Sequence, residues 1–531
     1  MTRPAPITSS SPEARSVTSA TPDPVVLGVV DLGASAIRLL VAQHRPGEHP
    51  EILEEASRAM LLGRDTFSTG RIGAATMDAS IRALAGFKEV MDGYGVTRVC
   101  AVATSAVREA SNAEMFLDRI RVRVGLNVDV IDGSEESRLT YVAVRDRLAG
   151  HPALKAACTL LMEVGGGSVD VTRLSRGAPV QAGVYPLGSV RMRQRLGSWK
   201  GSHEQRVRLL SAQVANVIGD IVDEITVTGS TFAVALGGDM RFVASRVAAS
   251  DEAVVEMSRE AFLAFVADLV KLDEGQVAER YQLSPVAAET LVPAMLVYRT
   301  LIEQSGAATI VVPDVSLRDG VLLDLAGAAA GPSDFAPHVL ASAASLGTRY
   351  RYDALHAGAV ARLSTRLFDL LASEHGMGPR DRLLLEVAAL LHDIGLFVSL
   401  RGHHKHSLYL LQASEIFGLS RDDMQIVGNI ARYHRRGTPQ KSHPEFMRLD
   451  RDERVRVTKL AAMLRVANAL DAEHEQKVAD ISLQEQDTNW IIELTGQGDL
   501  TMERLASAFR ADLLVDVFGR QIQFRGAGAG A

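Results

Sequence analysis

The sequence predicts an α/β fold over its first part, an all-α block after it and a small α+β module at the end. Three observations carry this. Short β-branched runs alternate with amphipathic stretches up to about residue 325. Helical periodicity then dominates from about 336 to 475. Strand, strand, helix and strand patterns return over 476–525.

The elements follow in chain order. Residues 1–24 are dominated by Ser, Thr, Pro and Ala and are expected to form a disordered tail, since they bury too little apolar surface to offset their ordering entropy. Runs 25–30, 98–103, 127–131, 160–164, 232–236 and 309–312 read as buried strands, and 76–94 and 112–124 as helices. The small-residue stretch 326–333 ends in Pro332-Ser333, and proline discourages helix continuation, so it is the expected seam. Beyond it, 353–373 and 382–391 carry helical periodicity. Strands 479–483, 490–494 and 522–524 with a helix at 501–509 make the closing module, and the Gly/Ala run 526–531 is an expected frayed end.

Composition narrows the classes. The 531 residues are 47% hydrophobic and 23% charged, and 57 Lys+Arg against 64 Asp+Glu give a net charge of −7. That balance disfavours a generic nucleic-acid coat and no specific nucleic-acid partner is expected, yet a local basic pocket for a polyanion stays open. Cys100 and Cys158 are the two cysteines, too few for a disulfide framework or a thiolate zinc cluster. A reducing cytoplasm is the expected compartment. No apolar run is expected to reach the ~20 residues that span a bilayer, nor is a signal-peptide core, so no membrane partner is expected.

An internal repeat is the most informative feature of the first part. Val29-Val30-Asp31-Leu32-Gly33-Ala34-Ser35-Ala36-Ile37-Arg38-Leu39 and Leu161-Met162-Glu163-Val164-Gly165-Gly166-Gly167-Ser168-Val169-Asp170-Val171 share one pattern. Each reads apolar strand, acid, apolar residue, glycine, small-residue turn and a second apolar strand. Glycine lets such a hairpin turn tightly and approach a ligand. Its exposed amides make an anion-binding concavity, and the acid can hold a hydrated divalent cation against bound phosphate. Two copies facing each other would clamp a phosphate chain.

Further motifs occur in order: Thr104-Ser105-Ala106-Val107-Arg108-Glu109-Ala110, Gly133-Ser134-Glu135-Glu136-Ser137-Arg138, Leu236-Gly237-Gly238 and Ser316-Leu317-Arg318-Asp319-Gly320-Val321. With Asp31-Leu32-Gly33 and Glu163-Val164-Gly165-Gly166-Gly167-Ser168, the chain resembles the exopolyphosphatase/guanosine pentaphosphate phosphatase (Ppx/GppA) family in its long form. The resemblance spans about residues 25 to 325 and continues through the C-terminal region of the longer members. It implies two actin-like (ASKHA, ribonuclease H-like) lobes, expected at 25–139 and 140–325, and hydrolysis of terminal phosphate from inorganic polyphosphate with Mg²⁺. Guanosine pentaphosphate is the alternative substrate at the same site. A kinase-like ATP enzyme of the same superfamily is disfavoured, because the Glu136 motif belongs to the phosphatases.

Hydrolysis of a phosphoanhydride needs a positioned water, a base, and cationic or N–H groups around the transferred phosphoryl. By resemblance Glu136 is the general base and Arg108 the clamp on the terminal phosphate; a salt bridge from Arg108 to Glu109 is the bland alternative. Gly33, Ser35, Gly165, Gly166, Gly167 and Ser168 would hold phosphate, with Gly237 and Gly238 on the far wall. Asp31, Glu163 and Asp170 would serve Mg²⁺. The sequence departs from the family pattern in two places. The first hairpin usually reads Asp-x-Gly-Ser-Asn-Ser, where this chain keeps one hydroxyl, Ser35. The second usually begins with Asp and places Glu two residues past the serine, where this chain has Glu163 and Asp170.

The helical part carries its own constellation. His392-Asp393 ends a strongly apolar stretch, where an imidazole and a carboxylate are costly unless paired. With His356 upstream and Asp471 downstream the set resembles the HD superfamily of metal-dependent phosphohydrolases, implying an HD-like domain and a possible second divalent metal. Arg401, His403, His404, Lys405 and His406, then Arg432, His434, Arg435 and Arg436, read either as a polyanion track or, for His406 and His434, as second-metal ligands. In the longer family members this region is regarded mainly as a polyphosphate-binding extension. A homodimer is implied by resemblance alone, and a phosphodiesterase or nucleotidase acting in this region, with the cleft as sensor, is a further alternative.

Overall fold

The computed structural model describes residues 24–197, 201–250, 252–327, 332–435, 437–486 and 489–526. The expected tail lies outside these but for Pro24, as do residues 328–331 of the seam, Arg436, and the terminal run beyond Gly526.

The first sheet holds β1 (Val25–Leu32), β2 (Ala36–His44), β3 (Glu51–Ala59), β4 (Arg98–Ala103) and β5 (Asp129–Val130) in the order β3-β2-β1-β4-β5. The central β1 is apolar along nearly its whole length because both its faces are covered. It pairs antiparallel with β2 and parallel with β4. The second sheet holds β6 (Thr159–Val164), β7 (Val169–Ser175), β8 (Ala178–Tyr185), β9 (Phe232–Leu236), β10 (Val254–Ser258) and β11 (Thr309–Pro313) in the order β10-β11-β9-β6-β7-β8. Its stretch β8-β7-β6-β9-β11 repeats the order of the first sheet, and β10 is added antiparallel at the edge. The repeat read in the two hairpins thus extends to two α/β lobes of the actin-like type. Strands β3, β8 and β10 carry weak apolar patterns and were not evident from the sequence.

Two helices cross between the lobes. The helix Gly133–Arg147 contains the expected boundary at 139/140. Its residues Tyr141, Val142, Ala143 and Val144 pack with Leu161, Leu174, Val234 and Val311 of the second lobe. The helix Leu317–Leu325 returns to the first sheet, where Leu317, Val321 and Leu322 join Leu27, Val29, Leu40 and Leu139. One expectation fails here. The helix Pro285–Ser305 is, by length and composition, apolar enough to cross a bilayer. It is apolar on several sides because it is packed inside the second lobe, with Leu291, Met295, Leu296, Tyr298, Leu301 and Ile302 almost fully buried.

After the seam come the helices Pro332–Arg349, Ala354–Leu370, Pro379–Leu391, His403–Gln412, Arg421–Arg432 and Arg451–Ala469. The last three strands, β12 (Val478–Gln486), β13 (Asn489–Gly496) and β14 (Gln521–Gly526), form a sheet in that order, with β14 parallel to β13. Ile481, Trp490, Ile492, Leu494, Leu514 and Phe524 belong to the same buried cluster as Leu384, Val427 and Leu464 of the helices. The closing segment therefore completes the helical block instead of standing apart as a module.

Candidate active site and a histidine cluster

The two hairpins face each other across a cleft of about 320 Å³. In the first, Gly33 N donates to Ala36 O at 3.0 Å; in the second, Gly165 N donates to Ser168 O at 2.9 Å, so both turns close in the same way. The carbonyls of the glycine loop are drawn back by the helix Ser189–Leu196: Ser189 N bonds Gly165 O and Arg191 N bonds Gly166 O, both at 3.0 Å, and Arg191 Nε bonds Gly167 O at 2.6 Å. A Cβ on Gly167 would lie against the Ser105 hydroxyl and 2.5 Å from the Phe67 ring, and one on Gly166 would lie 2.9 Å from the Ala34 methyl. These two glycines are required because the lobes meet there.

Three acids, Asp31, Glu136 and Glu163, line the cleft floor, and a fourth, Asp170, stands behind them. Asp31 pairs across its hairpin with Arg38, and Glu163 across its own with Asp170. Arg38 Nη1 donates to Asp31 Oδ2 at 3.2 Å, while Asp31 Oδ1 is buried with no hydrogen-bond partner among the described residues. Burial raises the Asp31 carboxyl above its ordinary range against the pull of Arg38 and Arg318. Burial and the neighbouring Asp31 raise Glu163 likewise. Asp170 stands well above its usual range, chiefly from burial, although it accepts a hydrogen bond from Ser137. Glu136, one turn into the helix Gly133–Arg147, is pushed by burial from 4.5 to about 7; the Arg108 guanidinium opposes the rise, and Glu163 and Asp31 add to it.

The structure brings most of the expected residues together. Asp31, Gly33, Ser35, Glu136, Glu163, Gly165, Gly166, Gly167, Ser168, Gly237 and Gly238 all line the cleft. Arg108 does not line it. Its Nη1 donates to the Ile131 carbonyl at 2.6 Å and lies 3.6 Å from Glu136 Oε2, and it closes the helical turn Ser105–Arg108 that follows β4. Its partner is Glu136 and not Glu109, which is paired with Arg191 at 2.6 Å. Asp170 also stands behind the lining, at Ser137. Arg38 and Asp239 line the cleft and were missed. The repeat contained the signal for Arg38, which follows Asp31 by the same interval that separates Asp170 from Glu163. Asp239, raised to about 6 by burial, had none beyond its place after Gly237-Gly238.

The helical block holds a second polar cluster. Asp393 Oδ1 lies 3.2 Å from His403 Nε2 and 3.3 Å from His434 Nε2, and Asp393 Oδ2 lies 3.5 Å from His392 Nε2. His356, His392 and Asp393 form one group able to hold a metal ion, and Asp393, His403 and His434 another. Three of the imidazoles bond their Nδ1 to a carbonyl three residues back: His392 to Ala389 at 2.7 Å, His403 to Leu400 at 3.1 Å and His434 to Ala431 at 2.6 Å. Each ring thereby donates from Nδ1 and turns Nε2 toward Asp393. Burial lowers His392 to about 4, and although burial opposes it, His392, His403 and His434 hold the Asp393 carboxyl well below its ordinary range. Asp471 is bonded to His356 Nδ1 at 2.8 Å, and Asn468 lies 3.1 Å from its Nε2.

The expected track is divided by this arrangement. His434 is buried in the cluster, its ring held by the Ala431 carbonyl and against His403. Arg435 lines the adjoining cavity of about 370 Å³ with Arg465, Arg510 and Asp471. His404 is lowered to about 4 by burial and then by the cations around it, so it adds no positive charge near neutral pH. Arg401 is exposed and Arg432 packs its guanidinium 5.7 Å from the Tyr433 ring. His406 takes no place in the metal-holding groups, where His403 stands instead.

Paired acid-and-glycine hairpins on two actin-like lobes define a phosphate-handling cleft. The chain belongs to the Ppx/GppA phosphatase family: the family's model matches residues 40–329, and that of Ppx/GppA phosphatase, domain III, matches 340–509. It is 27% identical over 306 residues to exopolyphosphatase 1 of Mycobacterium leprae (strain TN), covering 56% of this chain and 88% of that protein. It is 24% identical over 414 residues to the guanosine-5'-triphosphate,3'-diphosphate pyrophosphatase of Vibrio parahaemolyticus, covering 76% and 80%. The crystal structure of an exopolyphosphatase from Cytophaga hutchinsonii shares the fold, with a TM-score of 0.52, 23% identity, and coverage of 57% of this chain and 98% of that one. The chain is a hydrolase acting on phosphoanhydride bonds.

Proposed function

We propose that this protein is an exopolyphosphatase that releases terminal orthophosphate from inorganic polyphosphate, with Glu136 as general base. The observation that carries the reading is the Glu136 carboxyl, raised by burial to about 7 at the floor of the cleft. A carboxylate so raised is a stronger base than a solvated one and is still deprotonated in part at neutral pH. It would accept the proton of a water attacking the terminal phosphorus, while the amides of the glycine loop, Ser168 and Arg38 stabilise charge on the phosphoryl oxygens. Arg108 would steer Glu136 from behind, and reaches a phosphate only by leaving the Ile131 carbonyl.

The donor set fits Mg²⁺. Asp31 is buried and Glu163 and Asp170 are half-buried, Asp31 raises Glu163 and Glu163 raises Asp170, and Asp31 Oδ1 has no partner among the described residues. Asp31 and Glu163 would hold the ion, which when bound offsets the charge of adjacent phosphates. Guanosine pentaphosphate is the second substrate for the same site, favoured by the pyrophosphatase relative. The convergence of three Nε2 atoms on Asp393 supports a divalent metal in an HD-like helical domain, and with it a separate phosphohydrolase activity. A cytoplasmic homodimer without a membrane partner belongs to the same reading.

The test is phosphate release from long polyphosphate, guanosine pentaphosphate and a phosphodiester by wild type, Glu136→Gln and Asp393→Ala. Glu136→Gln is expected to abolish hydrolysis of the first two, and Asp393→Ala to spare most of it. Loss of all polyphosphatase activity in Asp393→Ala, with none in Glu136→Gln, would overturn the assignment.

A further inference from the structure

Glu136 sits in the first turn of its helix, and that turn is held from outside the two lobes. Asp132 caps the helix, its Oδ1 accepting from Glu135 N at 2.9 Å. Its Oδ2 accepts at 2.8 Å from the backbone N of Arg421, the first residue of the helix Arg421–Arg432 in the helical block. One carboxylate therefore spends its two oxygens on two helix starts, 289 residues apart in sequence.

The rest of the helix is held on the same side. Phe417 of the helical block packs edge-on against Tyr141, with ring centroids 5.5 Å apart. Phe335 lies under the guanidinium groups of Arg138 and Arg145, each 5.2 Å from its ring centroid. Val184 of β8, whose amide is bonded by Glu415 of the block, also closes on Gly133, where a Cβ would come within 2.9 Å of it. The start of the helix is thus wedged between β8 and the helical block.

We infer that Asp132 is a positioning residue, through which the helical block holds Glu136 in register with the glycine loop across the cleft. The inference rests on the reading of Glu136 as the base. The interdomain bond uses a main-chain donor, so a side-chain truncation at 421 leaves it in place. Proline at 421 removes that N–H together with the side chain that Arg421→Ala removes alone: the first position of a helix accepts proline, and Ser420, at φ −72° and ψ 168°, has the backbone that precedes one.

Steady-state hydrolysis of polyphosphate by the full chain, with melting curves, tests this in Arg421→Pro, Arg421→Ala, Asp132→Asn and Glu136→Gln. A small misplacement of a catalytic group costs rate and not ground-state binding, so Arg421→Pro is expected to lower kcat about tenfold with KM within about twofold. Asp132→Asn keeps one acceptor for the cap and is expected to match it, and Arg421→Ala to retain the wild-type rate. Wild-type kcat in Arg421→Pro, or an equal loss in Arg421→Ala, overturns the inference. If Arg421→Pro does not fold, Asp132→Asn at wild-type kcat has the same force. An active Glu136→Gln refutes the base itself, whereas an inactive one beside a fully active Arg421→Pro refutes only the positioning.

Discussion

At the scale of single residues, the cleft is an accumulation of carboxylates that folding holds in an unfavourable place. Glu136 is raised from 4.5 to about 7, so between those values the folded chain binds more protons than the unfolded one. Its contribution to stability is therefore lost as pH rises through that window. Glu136→Gln is expected to be more stable than wild type at pH 8, by on the order of 2 kcal/mol, with the gap closing near pH 5. Thermal melts at the two pH values check it, and an equal gap at both would mean that the carboxyl is not strained. The same shift predicts that kcat/KM rises with pH on an acid limb centred at or below about 7, since a cation on Asp31 and Glu163 would relieve the repulsion that helps raise Glu136. A pH profile with no limb above about 5 would contradict the assignment. Arg38 was legible only through comparison of the two repeats, and Arg108 was misplaced because a motif does not reveal which way a guanidinium turns.

At the scale of elements, the informative unit is the hairpin. Its acid, its glycine and its second strand could be read from the sequence because the turn chemistry is local, and the strands followed because their apolar runs are buried on both faces. What could not be read is why Gly167 has no side chain. The reason lies in Ser105 and Phe67, on the opposite lobe. Gly167→Ala is expected to force the lobes apart and lower polyphosphatase kcat at least tenfold, at a stability cost of about 1–3 kcal/mol. Retention of full activity would mean that the lobes need not approach this closely. The histidine cluster was half legible for a similar reason. His392-Asp393 adjoin in sequence, but His403 and His434 are gathered by helices that meet only in the packed block. Helix packing fixes their tautomers through the carbonyls of Ala389, Leu400 and Ala431.

At the scale of the whole molecule, the division into lobes and a helical block was visible as changes of periodicity, whereas the exchanges between them were not. The helix Leu317–Leu325 is written after the second lobe and packed into the first, and no local pattern announces that. The cluster around Asp393 makes a global prediction. A divalent ion bound there would stabilise the folded chain by mass action, so exhaustive chelation is expected to lower the melting temperature of wild type more than that of a variant carrying Asp393→Ala and His434→Ala. Metal content by elemental analysis and melting curves before and after chelation check this, and an identical response in both proteins would overturn a metal at Asp393.

The shared core of the helices and the last sheet bears on how the chain is made. Phe524 is buried in a cluster that also contains Val339 and Leu384, and β14 is held by its pairing with β13. During synthesis the two lobes have all their strands once residue 313 has emerged from the ribosome. The helical block must wait with part of its apolar surface uncovered until residue 524 is free. That interval, when the emerging chain exposes Leu, Val and Ile side chains of the helices, is where a chaperone has the most to do.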